Sequence, residues 1–457
     1  MSKVSLVDNG FLLTESPHSP KHVAGLQILK LPPRKGSAWL RKLLADLKNE
    51  PPGHPFDKKL RYRIPLYPDL VEAPDIDMDY HVRHTVLPAP GDDAQLWKTV
   101  SRLHANLLDR ERPLWEFHLI EGLSDRRFAF YTKLHHALAD GITINRWFSE
   151  SGSPDPKDMS SPAIWHGQKP MPANKGREPT YVELINEGMR VFGDGVRTAL
   201  DITKLGARLL QRRFLQGDFD ITFPLGAPRT RLNVVPGAAR SLTSTVFSLE
   251  DIRNIAHSQE VTVNDVLLTI CDAAVTRYFA DKGEAPDEPL VGYMPVNLRT
   301  RDDDEVGNLV SLLQVRLASD RDDLLNALQE IHQSSLTARE VFSGFGRPAI
   351  QLYALAVALM SLFEETLRLE RFLHPVNNLV ISNLPGPPVP LYFRGAPCLR
   401  AIPISTLAPM TALNVTANSY AGLMNVGLVA GRSAVPDIDA LTAHLDAVFE
   451  ELKELTA

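Results

Sequence analysis

The sequence predicts an α/β protein of two domains, on three observations. The chain has 457 residues, more than one ordinary hydrophobic core accommodates. In both halves, short alternating or β-branched runs interleave with stretches whose apolar residues recur at helical spacing, the pattern of a mixed sheet covered by helices. Between the halves lies SGSPDPKDMSSPAIWHGQKPMPANKGREPT (151–180), where six prolines among Ser, Lys and Asp mark a linker. Residues 1–150 are expected as the N-terminal domain, and 181–457 as connecting helices followed by the C-terminal domain.

In the first half, residues 22–31 alternate well enough for a strand. Trp39, Leu40, Leu43, Leu44 and Leu47 form one helical stripe, and a loop with Pro51, Pro52 and Pro55 follows. Residues 75–86 read as a strand region. Leu96, Trp97, Val100, Leu103 and Leu107 predict a helix over 94–108, which Pro113 separates from the next strand. Trp115, in the PLWE run at 113–116, is read as a packing residue. After the linker, Ile185, Met189, Phe192, Val196 and Leu200 predict one or two amphipathic helices over 181–214. Arginines and lysines decorate them, as on helices that rest on anionic membranes, but four glycines and interspersed acids favour a solvated face.

In the second half, a strand over 241–249 precedes helices at 249–257 and 263–280, the latter with Asn264 near its cap. A strand at 290–295 runs into the charged loop NLRTRDDDEVGN, followed by a strand at 309–317 and a helix at 322–341. Residues 349–363 are the most apolar helical stretch; it is shorter than the ~20 residues a bilayer requires and ends at Glu364 and Glu365, so it is expected to be a buried helix. Residues 401–431 carry no charged side chain. Strands buried on both faces explain this, as do walls of a channel for alkyl chains.

The chemistry concentrates in RRFAFYTKLHHALADGITINRWF (126–148). A run of β-branched and aromatic residues stops at His135 and His136, and helical spacing begins after Asp140 and Gly141. A strand that delivers polar residues at its end, just before a helix, is a common construction for a site. Extended backbone sends successive side chains to opposite faces, so only one histidine of the pair enters a given channel. A metal site would have only three candidate ligands here and no cysteine, which argues against a metal centre.

HHALADG fits the HHxxxDG motif of coenzyme A-dependent acyltransferases and peptide-synthetase condensation domains. With PLWE (113–116), NDVLL (264–268), MPVNLR (294–299), SNLPGP (382–387) and LNVTANSY (413–420), the chain resembles the bacterial wax ester synthase/diacylglycerol acyltransferase family. The likeness runs from near Asp8 and Phe11 to the C-terminal helix. It implies two chloramphenicol-acetyltransferase-like α/β sandwiches with a tunnel between them. It implies transfer of a long-chain acyl group from acyl-coenzyme A to a fatty alcohol or diacylglycerol, with acyl-coenzyme A as substrate and no cofactor or metal. His136 becomes the general base and His135 its support. Asp140 and Gly141 form the structural turn, Asp140 pairing with Arg299; a helix cap is the simpler role for Asp140, and the pair is favoured. Asn264, Asp265, Asn308 and Gly386 are expected at the substrate, although Asn264 and Asp265 can equally satisfy backbone at a helix start. Transfer to an amine or carrier-bound acceptor is the alternative within the same fold, and a non-catalytic lipid-binding relative is the alternative outside it; the intact motif speaks against the latter.

Net charge is −6, which argues against nucleic acid as a partner. Cys271 and Cys398 sit among apolar residues without a CxxC spacing and are expected as reduced, buried thiols. The N-terminus lacks the apolar core of a signal peptide, so a cytoplasmic protein, peripheral at the inner membrane or lipid droplets, is expected.

Overall fold

The computed structural model describes residues 2–3, 6–64, 67–167, 200–201, 203–209, 211–215, 222, 224–297, 310–319, 322–367, 369 and 372–457. In chain order the elements are β1 (Ser2–Lys3), α1 (Leu6–Thr14), β2 (His22–Lys30), α2 (Ser37–Lys48), β3 (Lys58–Ile64), β4 (Tyr67–Glu72), α3 (Met78–His81), β5 (Val82–Val86), α4 (Asp93–Ala105), β6 (Trp115–Leu123), β7 (Arg127–His135) and α5 (Gly141–Glu150). The second half contributes β8 (Arg240–Ser248), α6 (Leu249–Ser258), α7 (Val263–Asp281), β9 (Val291–Asn297), β10 (Val310–Arg316), α8 (Leu324–Phe342), α9 (Arg347–Leu367), β11 (Leu379–Leu384), β12 (Tyr392–Phe393), β13 (Ala396–Ile404), β14 (Leu413–Tyr420), β15 (Leu423–Gly431) and α10 (Ile438–Leu455).

Two six-stranded mixed sheets organise the molecule, in the orders β12-β13-β2-β7-β6-β5 and β10-β9-β11-β14-β15-β8, beside a small sheet β1-β4-β3. Strands β3 and β4 do not stand out in the sequence, where a proline-rich loop and Pro65 and Pro68 break the alternation. Strand β13 comes from the last quarter of the chain yet pairs antiparallel with β2, Ile402 opposite Leu26 and Ile404 opposite Ala24. The first sheet is thus closed by a strand of the C-terminal half. Its core holds Trp115, Phe128, Phe130, Trp147 and Trp165. The second sheet packs beneath α6, α7, α8 and α10, with Leu267, Ile270, Leu328, Val415 and Leu445 among the buried residues. A third cluster joins the sheets, bringing Leu26, Ile120 and Tyr131 of the first against Leu242 and Val429 of the second.

Three expectations change. Residues 151–167, read as the start of a linker, pack on the first sandwich: Trp165 is fully buried, and its indole N–H donates to Glu50 O at 3.1 Å. The cap of α7 is Thr262, in a reciprocal capping box with Asp265, rather than Asn264. The apolar helix α9 is not buried all round. Ile350, Ala354 and Val357 face the protein, while Leu352, Leu359, Met360, Phe363 and Leu367 lie on the surface. Absence of charge was read as burial, but a 21-residue helix laid against a sheet has an outer face as well as an inner one. Of the amphipathic helices expected over 181–214, residues 181–199 lie outside the described residues; 203–209 are helical and seat Leu205 and Leu209 against Val341. Trp115 is the packing residue expected of it, buried, stacked on His81 and Trp165, and donating to Phe56 O at 2.9 Å.

Candidate active site

Strand β7 ends at the histidine pair, where the alternation predicted from the sequence places the two rings on opposite sides. The backbone N–H of His136 donates to Lys21 O at 2.9 Å, extending the β2–β7 ladder by one residue past the His22–His135 pairing. The imidazole of His136 then opens into a cavity of about 470 Å³ between the two sheets. That volume suits a small-molecule site. Among the described residues lining the cavity, His136 is the one histidine. The Phe11 ring of α1 stacks on it with centroids 4.1 Å apart and planes 9° from parallel, which fixes the ring's plane. Burial holds the imidazole below the ordinary histidine range, with the Asp140 and Asp8 carboxylates pulling the other way.

His135 points away into the protein and is fully buried. Its Nδ1 accepts the Ala137 N–H at 3.1 Å, and its Nε2 lies 3.4 Å from Glu15 Oε1. Glu15 also accepts from the Lys21 backbone N–H at 3.1 Å and from the Arg110 guanidinium at 3.0 Å. Burial pushes this carboxyl up, but His135, Lys21 and Arg110 together outweigh it and hold the pKa at about 2. His135 therefore belongs to a charged buttress that ties α1 to the histidine strand.

Asp140 is the N-cap of α5, accepting the Thr143 N–H at 2.9 Å, and lines the cavity with Gly141. A Cβ on Gly141 would come within 2.9 Å of the Leu384 side chain, so the turn is fitted closely against β11. Arg299, expected opposite Asp140, lies outside the described residues, as does Asn308.

Asn145, one turn into α5, reaches the other half of the chain. Its amide donates to Pro385 O at 2.6 Å and to Asn418 Oδ1 at 3.1 Å. The next residue, Gly386, receives Ser419 at the back: its N–H donates to Ser419 Oγ at 3.0 Å, and a Cβ there would sit 2.1 Å from Ser419 O. Only glycine fits, so Gly386 acts by close approach of the SNLPGP loop to β14. It does not itself line the cavity; Pro385, Leu384 and Asn383 do.

The ND pair departs from the expectation of direct substrate contact. Asp265 is buried in its capping box, its Oδ2 accepting from Thr262 N at 2.9 Å and lying 2.7 Å from His332 Nδ1, so its visible work is to hold α7 and α8 together. Asn264 lies behind the wall, its Oδ1 accepting from Asn383 Nδ2 at 2.8 Å. It orients a cavity residue and does not line the cavity.

The sequence reading assigned no role to Phe11, Glu15, Lys21, Asn145 or Asn383. Lys21 is a buried ammonium on the cavity wall, donating to Ser19 Oγ at 2.7 Å and Leu407 O at 3.2 Å, with burial lowering its pKa to about 8. Phe11, Glu15 and Lys21 sit in no local pattern, whereas Asn383 belongs to the SNLPGP run and Asn145 to the histidine segment. In the uncharged stretch at 401–431, Leu413, Val415 and Ala417 face the core, while Asn414, Thr416 and Asn418 line the cavity with 401–409.

A cavity between two α/β sandwiches, with the second histidine of HHxxxDG on its wall, defines the class of coenzyme A-dependent acyltransferases and condensation domains. Residues 4–267 match the wax ester synthase/diacylglycerol acyltransferase catalytic domain, and residues 306–453 match the C-terminal domain of the same proteins. The chain is 36% identical to a probable diacylglycerol O-acyltransferase of Mycobacterium tuberculosis, with 98% of each chain covered. It is 32% identical to the O-acyltransferase WSD of Acinetobacter baylyi, over 96% of this chain and 94% of the relative. The solved structure of a wax ester synthase/diacylglycerol acyltransferase from Marinobacter aquaeolei VT8 superposes with a TM-score of 0.77 at 30% identity, covering 100% of both chains. A condensation domain of the CDA synthetase shares the fold, with a TM-score of 0.57 at 16% identity. The chain belongs to the wax ester synthase/diacylglycerol acyltransferase family.

Proposed function

We propose that this protein transfers a long-chain acyl group from acyl-coenzyme A to the hydroxyl of a fatty alcohol or diacylglycerol, with His136 as general base. The observation that carries the reading is the placement of one stacked imidazole, kept neutral by burial, on the wall of a largely apolar cavity built from both halves of the chain. The neutral ring takes the hydroxyl proton as the oxygen attacks the thioester carbonyl. The C–S bond then breaks, and the departing thiolate takes that proton from the imidazolium. Ester and free coenzyme A are the products, and no covalent enzyme intermediate or cofactor is called for. Burying alkyl chain in the cavity contributes about 0.8 kcal/mol per CH₂, and the chain displaces water that would otherwise hydrolyse the thioester.

Thiol release from palmitoyl-coenzyme A tests this with hexadecanol, diacylglycerol or a long-chain amine as acceptor. Release that depends on either alcohol, with ester formed in equal amount, is expected. Release only with the amine would move the protein to the amide-forming alternative, and no release with any acceptor would leave only a lipid-binding role.

Such substrates place the enzyme at a lipid surface, attached peripherally. Among the described residues no helix is long and apolar enough to cross a membrane. Membrane-bound protein is expected to come off with alkali, even where high salt leaves it attached. A requirement for detergent, with both ineffective, would contradict peripheral attachment.

A further inference from the structure

Helix α9 presents an apolar face on each side. Ile350, Ala354, Val357, Ser361 and Glu364 are buried, and Val357 packs with Tyr293, Val376 and Val380 on the second sheet. Leu352, Ala356, Leu359, Met360, Phe363 and Leu367 follow the complementary helical spacing and are exposed. Leu359 is 50%, Phe363 59% and Leu367 51% exposed, and Phe372 just beyond the helix is 78% exposed. The sixteen residues from Pro348 to Phe363 include no charged side chain. Scattered surface leucines need no explanation, but a contiguous stripe along more than four turns marks an interaction surface.

The stripe is continuous with the reaction cavity. Leu359, half exposed, is also a cavity-lining residue together with Ala354 and Ser361 of the same helix. Helix α1, whose Gly10, Phe11 and Thr14 line the cavity beside His136, packs against α9 and exposes Leu13. The cavity therefore reaches the surface where α9 turns its apolar face outward.

We propose that the exposed face of α9 is the surface by which this enzyme lies on a phospholipid layer, so that an apolar acceptor passes from the lipid to His136 without crossing water. The proposal rests on the acyltransferase reading, because a water-insoluble acceptor is what gives the position of the stripe its purpose. A second copy of the chain seated on the same face would instead cover the cavity mouth. The helix lies in the interface rather than spanning it, as an amphipathic anchor does. Since the stripe carries no charge, attachment depends on apolar contact and not on anionic headgroups.

Flotation with phosphatidylcholine vesicles, at low and high salt, tests the surface. The full chain is expected to float in both conditions. Phe363→Glu/Leu367→Glu, two exposed positions outside the cavity, is expected to lower the vesicle-bound fraction roughly tenfold or more. The same variant should keep its transfer rate with a short, water-soluble alcohol. A full chain that stays in the aqueous phase overturns the proposal, as does a double variant that floats like the parent. Loss of a dimer in the double variant, without vesicle binding by the parent, assigns the face to a second copy and also overturns it. Failure of transfer to the soluble alcohol in the parent would instead count against the acyltransferase reading. Should the double variant not fold, Phe363→Cys carrying an environment-sensitive fluorophore replaces it, since Cys271 and Cys398 are buried. A blue-shifted, brighter emission on adding vesicles is expected, and unchanged emission overturns the proposal.

Discussion

Replacing His136 with alanine is expected to lower acyl transfer by roughly 10²–10⁴-fold, the contribution of a positioned base, while the thermal unfolding midpoint stays near that of the parent. The ring stacks on Phe11 at a cavity wall rather than filling a close-packed core, so its removal costs less than a core truncation. Turnover within a few-fold of the parent would remove His136 from the base role. The pH dependence offers a second readout. The neutral imidazole is the working form, and burial depresses its pKa, so activity should fall with acid only below the ordinary histidine range and not through its middle. That limb must be separated from unfolding. His22 and His104 are also buried and held neutral, His104 with a pKa of about 3. Groups depressed in this way give their full stability above the unfolded histidine value, ~6.5, and lose it as pH drops towards the folded value, because the unfolded chain takes up the proton first.

Asp140→Asn is the second large effect, and it separates two accounts of the same carboxylate. Asparagine caps a helix about as well as aspartate, so if Asp140 only accepts the Thr143 N–H at the start of α5, the substitution leaves stability nearly unchanged. If the buried carboxylate forms the proposed ion pair with Arg299, removing its charge costs ~3–5 kcal/mol. Arg299→Ala should then cost a similar amount, and the double substitution should cost less than the sum. A thermal-unfolding cycle over the four proteins decides this. Strict additivity would dismiss the pair. A stable Asp140→Asn protein that has lost its chemistry would make Asp140 a participant in the reaction.

The sequence by itself determined the local facts. The run of β-branched and aromatic residues at 128–132 placed a strand that ends at the histidine pair, and the alternation of extended backbone meant that only one of the two rings could enter a given channel. Helical stripes located α2, α4, α8 and the cores of both sandwiches, because a 3.6-residue period survives whatever the helix packs against. Tertiary structure decided what no local period records. Strand β13 closes the first sheet through a pairing about 370 residues distant from its partner β2, as in Ile402 opposite Leu26. Phe11 and Glu15 reach the histidines only because α1 folds back over β7. Asp265, adjacent to a motif residue in sequence, is taken by a helix cap and by His332 on another helix. Helix α9, without charge from Pro348 to Phe363 and read as buried, keeps one apolar face outside because the second sheet offers it only one side to pack against. Periodicity reports how a segment presents its own side chains; which surface meets them, if any, is set by pairings between segments far apart in the chain.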